Sequence, residues 1–536
     1  MPIQSDNPPQ LITLGAWRGL NQQARRGSID DDEEWWNENL FAIGPGNLRS
    51  CWGHGPIIYT APAGTQIVRM FFGFIGNTTP QFQKPPPGRL GWMFLSDGTV
   101  DQVDVDTHEV TPIGQIWSPI PPNYWAACKV WRPQFFASTA GQQGGVLFGS
   151  PQGLYAWDGF TLSPPGAPAP DWLTDSAETT GTAFVMTSGL PGIYCMEVYQ
   201  SRLFVAGKDV ISFSAPSNGA NFSTTDGGGS FGYFGDKLTY SYQDLAASAG
   251  YLYVYGDSSI DIIANVQLSG QGTPEAPFTT NLNYENIDQQ VGQRFPRPVG
   301  RIGRYMQMYT GAGIFECRGG EAREIGDKIT NIYDTLDTST FLPTMCPATM
   351  FGQRVLLCNG RFKDPFGVTR TLLLMWHPRG GKEFWSVASQ NLELTNIAAY
   401  EQDSIITPFG TDGTNLYQLF AVPDPALKKR LSTKYLRGQG MSQLTVKNAK
   451  RLYLEFYDNA NTGVSFTGIF TGSAGGVPGG REDIGFMMPP GQRYAMVPQA
   501  VSGAGIAGAV DIESISPDFT IERLHITTEE RTLWGA

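Results

Sequence analysis

The chain has 536 residues, more than one ordinary hydrophobic core holds, so we expect two or more domains, or one closed repeat fold with an appendage. With 65 glycines, 38 prolines and only 16% charged residues, the composition favours many short strands and turns in an all-β protein. A net charge of -12 argues against a surface that clamps nucleic acid, because phosphate binding needs clustered Lys and Arg, but it leaves open an acidic wall along which DNA slides.

The spacing of the reactive residue types points away from metal, cofactor and nucleophile chemistry. The six cysteines form no C-x-x-C pair, and none of the four histidines lies in an H-x-x-x-H pattern. The acidic run Asp30 to Glu34 is consecutive, so its side chains point in different directions, and we interpret them as solvated or paired. We therefore expect no catalytic residue, no cofactor and no bound metal. The 49 acidic residues leave open a carboxylate pair suited to glycoside cleavage.

The N-terminal letters MPIQSDNPPQ contain no basic region followed by an apolar core, so we expect no secretory signal. Apolar runs such as residues 371–376 are too short to span a bilayer, and we expect no direct membrane insertion. Residues 1–65 then form an extended, Gly-punctuated N-terminal segment that closes onto the rest of the fold. These patterns predict assembly in the cytoplasm without a membrane stage.

Residues 66–437 resolve into seven similar units, each with about four strand-like runs separated by turns. A recurrent order links them: an apolar strand, a Gly turn, then Gly-Leu-Tyr or Gly-Ile-Phe, and a turn with Asp or Gly. Four strands in about 40 to 50 residues is the size of a propeller blade. We predict a β-propeller of about seven blades, with six or eight within the error of the count. Residues 330–341 form the one plausible helix.

The third unit shows why the units should be stacked sheets. Residues 203–207 and 210–215 read as two strands joined by a tight turn. Leu203 and Val205 share one numerical parity with Ile211 and Phe213, and the residues of the other parity are also apolar or small. A hairpin with no face reserved for water must lie between other sheets. By contrast, the connection 270–300 carries few strand signals, so we expect a long loop there.

After residue 437 the pattern changes to strands with one polar face. Leu452, Leu454 and Phe456 alternate with polar or amphipathic neighbours, and the same alternation recurs in residues 509–514 and 523–527. We predict a separate C-terminal β-sandwich domain over residues 438–536.

One local reversal of charge lies where the two predicted domains meet. Eight basic residues and no acidic ones fall between Asp424 and Glu455, and they could contact an acidic partner or DNA phosphates. A solvated linker between propeller and sandwich explains them equally well. The eight are Lys428, Lys429, Arg430, Lys434, Arg437, Lys447, Lys450 and Arg451.

Several short motifs resemble the β-propeller virion proteins of short-tailed bacteriophages. In residues 199–222, YQSRLFVAGKDVISFSAPSNGANF, a strand leads into a Ser-Ala-Pro turn and an Asn-Phe, as in a blade of those proteins. A Gly-Leu-Asn start at residues 19–21 followed by an acidic stretch, and a Ser-Pro-Asp-Phe segment at residues 516–519, are similar to theirs too. The N-terminal region of those proteins also often contains an Asn, then a Gly, a Leu-Arg pair and another Gly, and the matching residues here are Asn39, Gly46, Leu48, Arg49 and Gly53.

The resemblance is to the tail hub or nozzle proteins, also called packaged DNA stabilisation proteins. It implies a structural role without enzymatic activity, as a homohexameric ring in the virion tail that continues the DNA channel below the portal and its adaptor. It also implies contacts with tailspikes or fibres and with a plug or needle, and double-stranded DNA passing through the lumen without sequence recognition. Retention of packaged DNA would fall to long loops, residues 270–300 foremost.

Two other functions remain compatible with a propeller. A carbohydrate-active propeller, such as a tail depolymerase, predicts a pocket at the propeller axis with clustered carboxylates and aromatic rings. A propeller adhesin would bind host glycans without chemistry. Cleavage of polysaccharide or binding of glycan by the isolated protein would separate these two from a structural ring.

Overall fold

The computed structural model describes most of the chain and supports an all-β architecture. The described residues are 10–30, 32–43, 46–73, 89–118, 127–131, 145–170, 173, 185–190, 192–232, 242–273, 275–276, 278–288, 291–295, 300–379, 382–402, 404–436, 446–474, 477–501, 504–505 and 507–531. Within them the longest helix is one turn, α1 (Thr330–Tyr333), which lies inside the segment where the sequence predicted a helix.

Seven groups of four antiparallel strands follow one another as the blades of a β-propeller, which confirms the predicted fold. Blade 1 holds β6 (Ile67–Gly73), β7 (Leu90–Leu95), β8 (Thr99–Asp104) and β9 (Val110–Gln115), and blade 2 holds β10 (Ala127–Trp131), β11 (Gly145–Ser150), β12 (Gly153–Trp157) and β13 (Leu162–Ser163). Blade 3 holds β14 (Cys195–Tyr199), β15 (Arg202–Ala206), β16 (Val210–Phe213) and β17 (Gly229–Gly232). Blade 4 holds β18 (Tyr242–Ser248), β19 (Tyr251–Gly256), β20 (Ile260–Ser269) and β21 (Thr279–Asp288), and blade 5 holds β22 (Gly300–Ile302), β23 (Tyr305–Tyr309), β24 (Ile314–Arg318) and β25 (Glu321–Glu324). Blade 6 holds β26 (Thr344–Met350), β27 (Gln353–Lys363), β28 (Thr369–Arg379) and β29 (Lys382–Ala388), and blade 7 holds β30 (Asn396–Gln402), β31 (Ile405–Thr411), β32 (Asn415–Gln418) and β5 (Ile57–Thr60).

The propeller is a closed ring because apolar side chains fill each of the seven spaces between neighbouring blades. Blades 7 and 1 meet through Phe409 and Met93, so the last blade packs on the first. The outer strand of blade 7 is β5, which comes from the N-terminal segment and pairs antiparallel with β32. The chain therefore closes its own ring by returning residues 57–60 to the final blade.

The hairpin of blade 3 is buried on both sides, as its sequence predicted. Leu203 and Val205 pack toward blade 2, whereas Phe204, Ile211 and Phe213 pack toward blade 4. Phe204 pairs with Phe213 across the hairpin, so residues of opposite numerical parity share a face. Parity predicted the faces within each strand, but the turn sets which faces match between strands.

Two sheets pack face to face in a sandwich beside the propeller. The first contains β1 (Gln10–Leu14), β3 (Leu40–Ile43), β4 (Asn47–Ser50), β34 (Val446–Asp458), β37 (Tyr494–Ala500), β38 (Ala504–Gly505) and β40 (Phe519–Arg531). The second contains β33 (Lys429–Thr433), β39 (Ala507–Ser514), β35 (Val464–Ala474) and β36 (Val477–Met488). Leu452, Leu454 and Phe456 point into the core between the sheets, as the alternation predicted.

The sandwich differs from the predicted 438–536 unit in its strand content. β1, β3 and β4 come from the N-terminal segment, and β33 lies before residue 437. The second sheet is also continuous with blade 6, because β2 (Glu34–Glu38) pairs parallel with β29 and antiparallel with β33. One nine-stranded sheet therefore runs from β26 in the propeller to β36 in the sandwich, and the two regions are not separated by a linker.

The prediction of a long loop over residues 270–300 is wrong in its middle. β21 occupies ten of these residues and pairs with β20 in a long hairpin of blade 4. The hairpin packs on blade 3, where the Thr280 hydroxyl donates a hydrogen bond of 2.7 Å to the Gly227 carbonyl. The gating role that the sequence suggested for this segment depended on a free loop, and the docked hairpin contradicts that premise.

Candidate functional site

The first strand of every blade lines a cavity of about 330 Å³ at the propeller axis. We call it the axial cavity. Three cationic side chains reach it from blades 1, 2 and 5, and three carboxylates reach it from blades 3, 4 and 7. They are Arg69, Lys129, Arg301, Glu197, Asp244 and Glu401. The volume falls at the lower end of the range of about 300–1,000 Å³ that is typical of small-molecule sites.

Two of the three carboxylates around the axial cavity form ion pairs within the chain. Lys129 forms an ion pair with Glu197 of the next blade, and Arg354 lies 3.4 Å from Glu401. Burial raises the pKa of the Cys195 thiol well above its ordinary value, and the nearby Asp244 adds to this. A thiol is nucleophilic only as thiolate, so Cys195 is held in its unreactive form.

The carbohydrate-active alternative predicted carboxylates and aromatic rings at this place. Glu197, Asp244 and Glu401 lie there, as do Phe71 and Phe72. Both glutamates form ion pairs with basic side chains of the chain, Glu197 with Lys129 and Glu401 with Arg354. In the described residues, no group of three or more His, Cys, Asp or Glu side chains is arranged to hold a metal ion.

A larger concavity of about 810 Å³ lies where blade 6 meets the sandwich, over the nine-stranded sheet. We call it the junction groove. Its lining contains Glu38 of β2, Asp364 and Arg370 of the β27–β28 hairpin, and Lys428 and Arg430 at β33. The groove is thus built where the N-terminal segment, the propeller and the sandwich share one sheet.

An ionic network in the junction groove connects β2 of the N-terminal segment to blade 6. The two terminal guanidinium nitrogens of Arg370 donate to the Glu38 carboxylate at 2.6 and 2.8 Å, and its Nε donates to Asp364 at 3.1 Å. The indole of Trp36 donates to the same Glu38 carboxylate at 3.0 Å. Burial lowers the pKa of Arg370, but the bonds and charges of Glu38 and Asp364 outweigh burial and leave that pKa raised. Such bidentate pairs fix geometry as well as charge.

Two of the predicted basic residues, Lys428 and Arg430, come together at the junction groove. Lys428 and Arg430 both reach Glu513, at 3.2 and 3.3 Å, and the Arg430 guanidinium lies 4.5 Å from the centre of the Phe366 ring. Lys429 points the other way and is buried, where its Nζ donates to the Asp424 carbonyl at 2.8 Å. Burial lowers the pKa of Lys429 to about 8.

The other predicted basic residues lie apart from that cluster. Lys434 donates to the Ile29 carbonyl at 2.7 Å, and Lys450 lies 3.2 Å from Glu529. Arg451 is exposed on β34. Lys447 belongs to the same strand, but its side chain lies outside the described set, and Arg437 lies outside the described residues altogether. The run is therefore a pairing strand and its flanks, and not a single basic patch.

Sequence reasoning missed Glu34, which is buried where β2 meets β33. Among the described residues, neither of its carboxyl oxygens has a hydrogen-bond partner. Burial raises the pKa of Glu34 to about 8, and the charge of Glu33 adds to this. The sequence signal is a carboxylate beside Trp35 and Trp36, at the end of the acidic run Asp30 to Glu34 whose spacing predicts solvated or paired side chains.

Arg26 was also missed, although it ties the N-terminal segment to the sandwich. Its Nη2 lies 2.7 Å from Asp511 of β39, and its Nε donates to the Thr433 carbonyl at 2.7 Å. The guanidinium stacks over Trp35, 4.7 Å from the ring centre. Residues 26 and 511 are too far apart in sequence for any local pattern to pair them.

Comparison with known proteins gives a fold likeness and no family. No family model matches the chain, and no curated protein matches it in sequence. Among solved structures, BBS1N in complex with ARL6DN, soaked with lead, is similar over 69% of this chain and 97% of its own, with 10% identity and a TM-score of 0.40. The mitotic checkpoint complex is similar over 78% of this chain and 94% of its own, with 9% identity and a TM-score of 0.31. Likenesses of this extent support no inference about function or partners.

No helix in the described part of the chain has the length and apolar character needed to cross a membrane.

Proposed function

We propose that this protein is a structural component of the virion tail of a short-tailed bacteriophage, the tail hub or nozzle. Six copies form a ring that continues the DNA channel below the portal and its adaptor, retains packaged DNA and takes part in genome ejection. The protein acts as scaffold and not as an enzyme. It is assembled in the host cytoplasm and reaches its site of action in the virion.

The observation that carries the proposal is the nine-stranded sheet that joins blade 6 to the sandwich through β2 and β33. A wall that retains DNA under pressure must resist movement between its parts. The β2–β33 ladder joins β2 to the sandwich, and the Arg370–Glu38 ion pair reinforces the short β2–β29 pairing that joins β2 to blade 6. The motifs at residues 19–21, 199–222 and 516–519 resemble those of the tail hub proteins and support the proposal that the scaffold is a tail hub.

The size of the axial cavity determines where the lumen must lie in this proposal. The axial cavity, with a volume of only about 330 Å³ and side chains from all seven blades around it, is too small to admit a DNA duplex, whose major groove alone is about 12 Å wide. The DNA therefore runs between copies, along the axis of the ring, and not through any one propeller. Six copies at -12 carry -72 in total, which repels the DNA backbone and discourages adhesion during ejection.

Partners follow from the place of such a ring in the tail. The head-to-tail adaptor lies above it, a plug or needle lies below it, and tailspikes or fibres attach around it. Double-stranded DNA passes without sequence recognition. Of the eight basic residues, Arg451 is the best candidate for a contact with an acidic partner, since Lys428, Arg430 and Lys450 already have partners within the chain.

Electron microscopy of the purified protein, together with mass photometry, tests the proposal. We expect a sixfold ring with a central opening wider than a DNA duplex, and particles that lack the protein should lose packaged DNA. A monomer that cleaves polysaccharide or binds glycan would contradict the proposal and favour the carbohydrate-active or adhesin alternative.

A further inference from the structure

The first sheet of the sandwich has two open edges, on opposite sides. Its strands run in the order β1, β40, β34, β37, with β4 and β3 continuing beside β1 at the other end of β40. β3 is covered by the propeller, where Phe41 packs into blade 6 and Gln353 donates to the Ala42 carbonyl. In the described part of the chain, the far sides of β1 and β37 have no strand partner.

β1 lacks the features that usually protect an edge strand. Its sequence, QLITL, contains no charge, proline or glycine, and Leu11 is 61% exposed. Natural edge strands avoid pairing with other chains by means of charges, prolines, bulges or a covering segment. An uncharged, β-branched edge with an exposed leucine is therefore a template for another strand.

β37 offers an apolar edge on the opposite side of the sheet. Tyr494 is 43% exposed and Met496 is 49% exposed, and the Tyr494 ring lies 5.0 Å from the ring of Tyr457 on β34. Tyrosine and methionine are enriched at protein interfaces. Pro498 interrupts only the later part of the strand, so residues 494–497 are free of edge protection.

The neighbouring edge strand of the second sheet is protected. β36 lies on the same side of the sandwich as β37, but it carries Pro478, Gly479 and Gly480, followed by the exposed charges of Arg481 and Asp483. These are the features that β1 and residues 494–497 lack. The open edges thus belong to one sheet, one on each side of the molecule.

Strand directions and side-chain faces make the two edges complementary. β1, β40, β34 and β37 are successively antiparallel, so β1 and β37 run in opposite directions. A second copy displaced sideways would therefore bring its β1 antiparallel to β37 of the first. The register from Leu11 through Thr527 and Arg451 to Ala500 places Leu11 on the same face as Met496 and Tyr494.

We propose that β1 of one copy adds to β37 of the next, so that the first sandwich sheet runs from copy to copy around the ring. This inference rests on the proposed function, because it names the contact that would close that ring. The contact is heterologous, since each copy uses a different edge toward each neighbour, and such contacts form closed rings when the rotation closes. Strand addition supplies the register through backbone hydrogen bonds, and Leu11, Tyr494 and Met496 supply apolar burial.

The strand pair is one part of a larger contact. Five residues of β1 bury much less than the roughly 1,200–2,000 Å² of a stable interface, so further surface must join it. The pairing still governs assembly, because a misplaced charge at a sheet edge opposes strand addition directly.

Two exposed substitutions test the pairing, each with a control of equal exposure. Leu11→Lys places a charge at the β1 edge, and Ile405→Lys places one on blade 7 at the same 61% exposure. Met496→Lys alters the β37 edge, and Ile57→Lys alters the outer strand of blade 7 at the same 49% exposure. We expect both edge variants to be monomeric at concentrations where wild type and both controls form rings, with unchanged circular dichroism and melting temperature.

Mixing the two edge variants tests the heterologous character of the contact. Each variant retains one intact edge, so an equimolar mixture should give a dimer that does not grow further. Rings that persist in both variants, or a mixture that contains only monomers, would overturn this inference while leaving the proposed function intact. A wild-type chain that forms no ring would overturn the proposed function and this inference together.

Discussion

The propeller and the sandwich are both built from antiparallel strands, but their strands pair over different distances along the chain. In blade 3 the strands β14 to β17 follow one another, and Phe204 pairs with Phe213 nine residues later. In the sandwich Leu48 pairs with Ile521, and β1 pairs with the far end of β40. Apart from β5 in blade 7, the propeller therefore forms from local contacts, whereas the sandwich needs both ends of the chain at once.

This difference indicates which region of the fold is more easily prevented from folding. Local hairpins close short loops, but pairing residues more than 450 positions apart must overcome a much larger loss of chain entropy. Only β2 and β33 join the two regions within one sheet. We expect the sandwich to be the later region to fold, and the strands of the N-terminal segment to decide whether it folds at all.

The largest effect should come from removing the N-terminal strands. Deletion of residues 10–50 removes β1 to β4 and leaves β5, so we expect the sandwich to unfold while the propeller stays closed. Deletion of residues 10–60 also removes β5 and should open blade 7. Limited proteolysis with mass spectrometry would show cleavage within residues 446–531 in the first variant, and additional cleavage near blade 7 in the second.

A sandwich that resists protease without residues 10–50 would contradict this comparison. It would mean that residues 446–531 form a sufficient core by themselves.

The next effect should come from the ionic network at the junction. Arg370→Met leaves Glu38 and Asp364 buried without a cationic partner, and breaking a buried pair in this way costs about 3–5 kcal/mol of unfolding free energy. The matched control is Arg354→Met, which breaks an exposed pair with Glu401 and should cost about 0–1 kcal/mol. Chemical denaturation followed by tryptophan fluorescence measures both, and equal effects would count against a central role for the junction.

A smaller, pH-dependent effect should come from Glu34. Burial raises its pKa from 4.5 to about 8, so between these values the folded state holds a proton that the unfolded state has lost. Wild-type stability should therefore fall as pH rises from about 4.5 to 8, by at most about 1.4 kcal/mol per pH unit from this group. Glu34→Gln should flatten that slope and make the variant the more stable protein above pH 8.

Glu33 provides the opposite control at the adjacent position. Burial raises its pKa, but hydrogen bonds from Lys328 and Asn21 outweigh burial and leave that pKa lowered. Its contribution is present at neutral pH and is lost as pH falls below the ordinary value near 4.5. Glu33→Gln should thus destabilise the protein at pH 7, and a Glu34→Gln variant with the same pH profile as wild type would contradict the role of burial.

The smallest effect should come from the exposed part of the basic run. Lys428→Ala removes an exposed pair with Glu513 and should change the unfolding free energy by less than about 1 kcal/mol, less still in high salt. Arg430→Ala should cost more, because it also removes the contact with Phe366. A large loss of unfolding free energy in Lys428→Ala would mean that the basic run stabilises the junction between propeller and sandwich.

The sequence predicted the propeller well because a blade is a local object. Apolar runs, Gly turns and the hairpin at residues 203–213 all fall within one unit, so periodicity sufficed for the blade count. The alternation of Leu452, Leu454 and Phe456 likewise predicted strands with one polar face. Neither pattern indicates a partner strand, so the entry of β1, β3 and β4 into the sandwich could not be predicted.

The contacts at the junction could not be predicted either, because they join residues that are far apart in the sequence. Glu38 and Arg370 lie 332 positions apart, and nothing local pairs them. The basic run appeared equally compatible with a linker or a contact surface, because a sequence does not show that β33 lies between β2 and β39. Long-range register decides which of two adjacent lysines, Lys428 or Lys429, is exposed and which is buried.

The nine-stranded sheet has one weak seam, with a mechanical consequence. β2 and β29 share a single register pair, Glu38 with Val387, whereas β2 and β33 share four. Tension that pulls the sandwich away from the propeller would concentrate on this parallel seam, where few ladder bonds act together. The Arg370 guanidinium reinforces the same seam through its bonds to Glu38. Under force we expect β2 to separate from β29 before any blade unfolds.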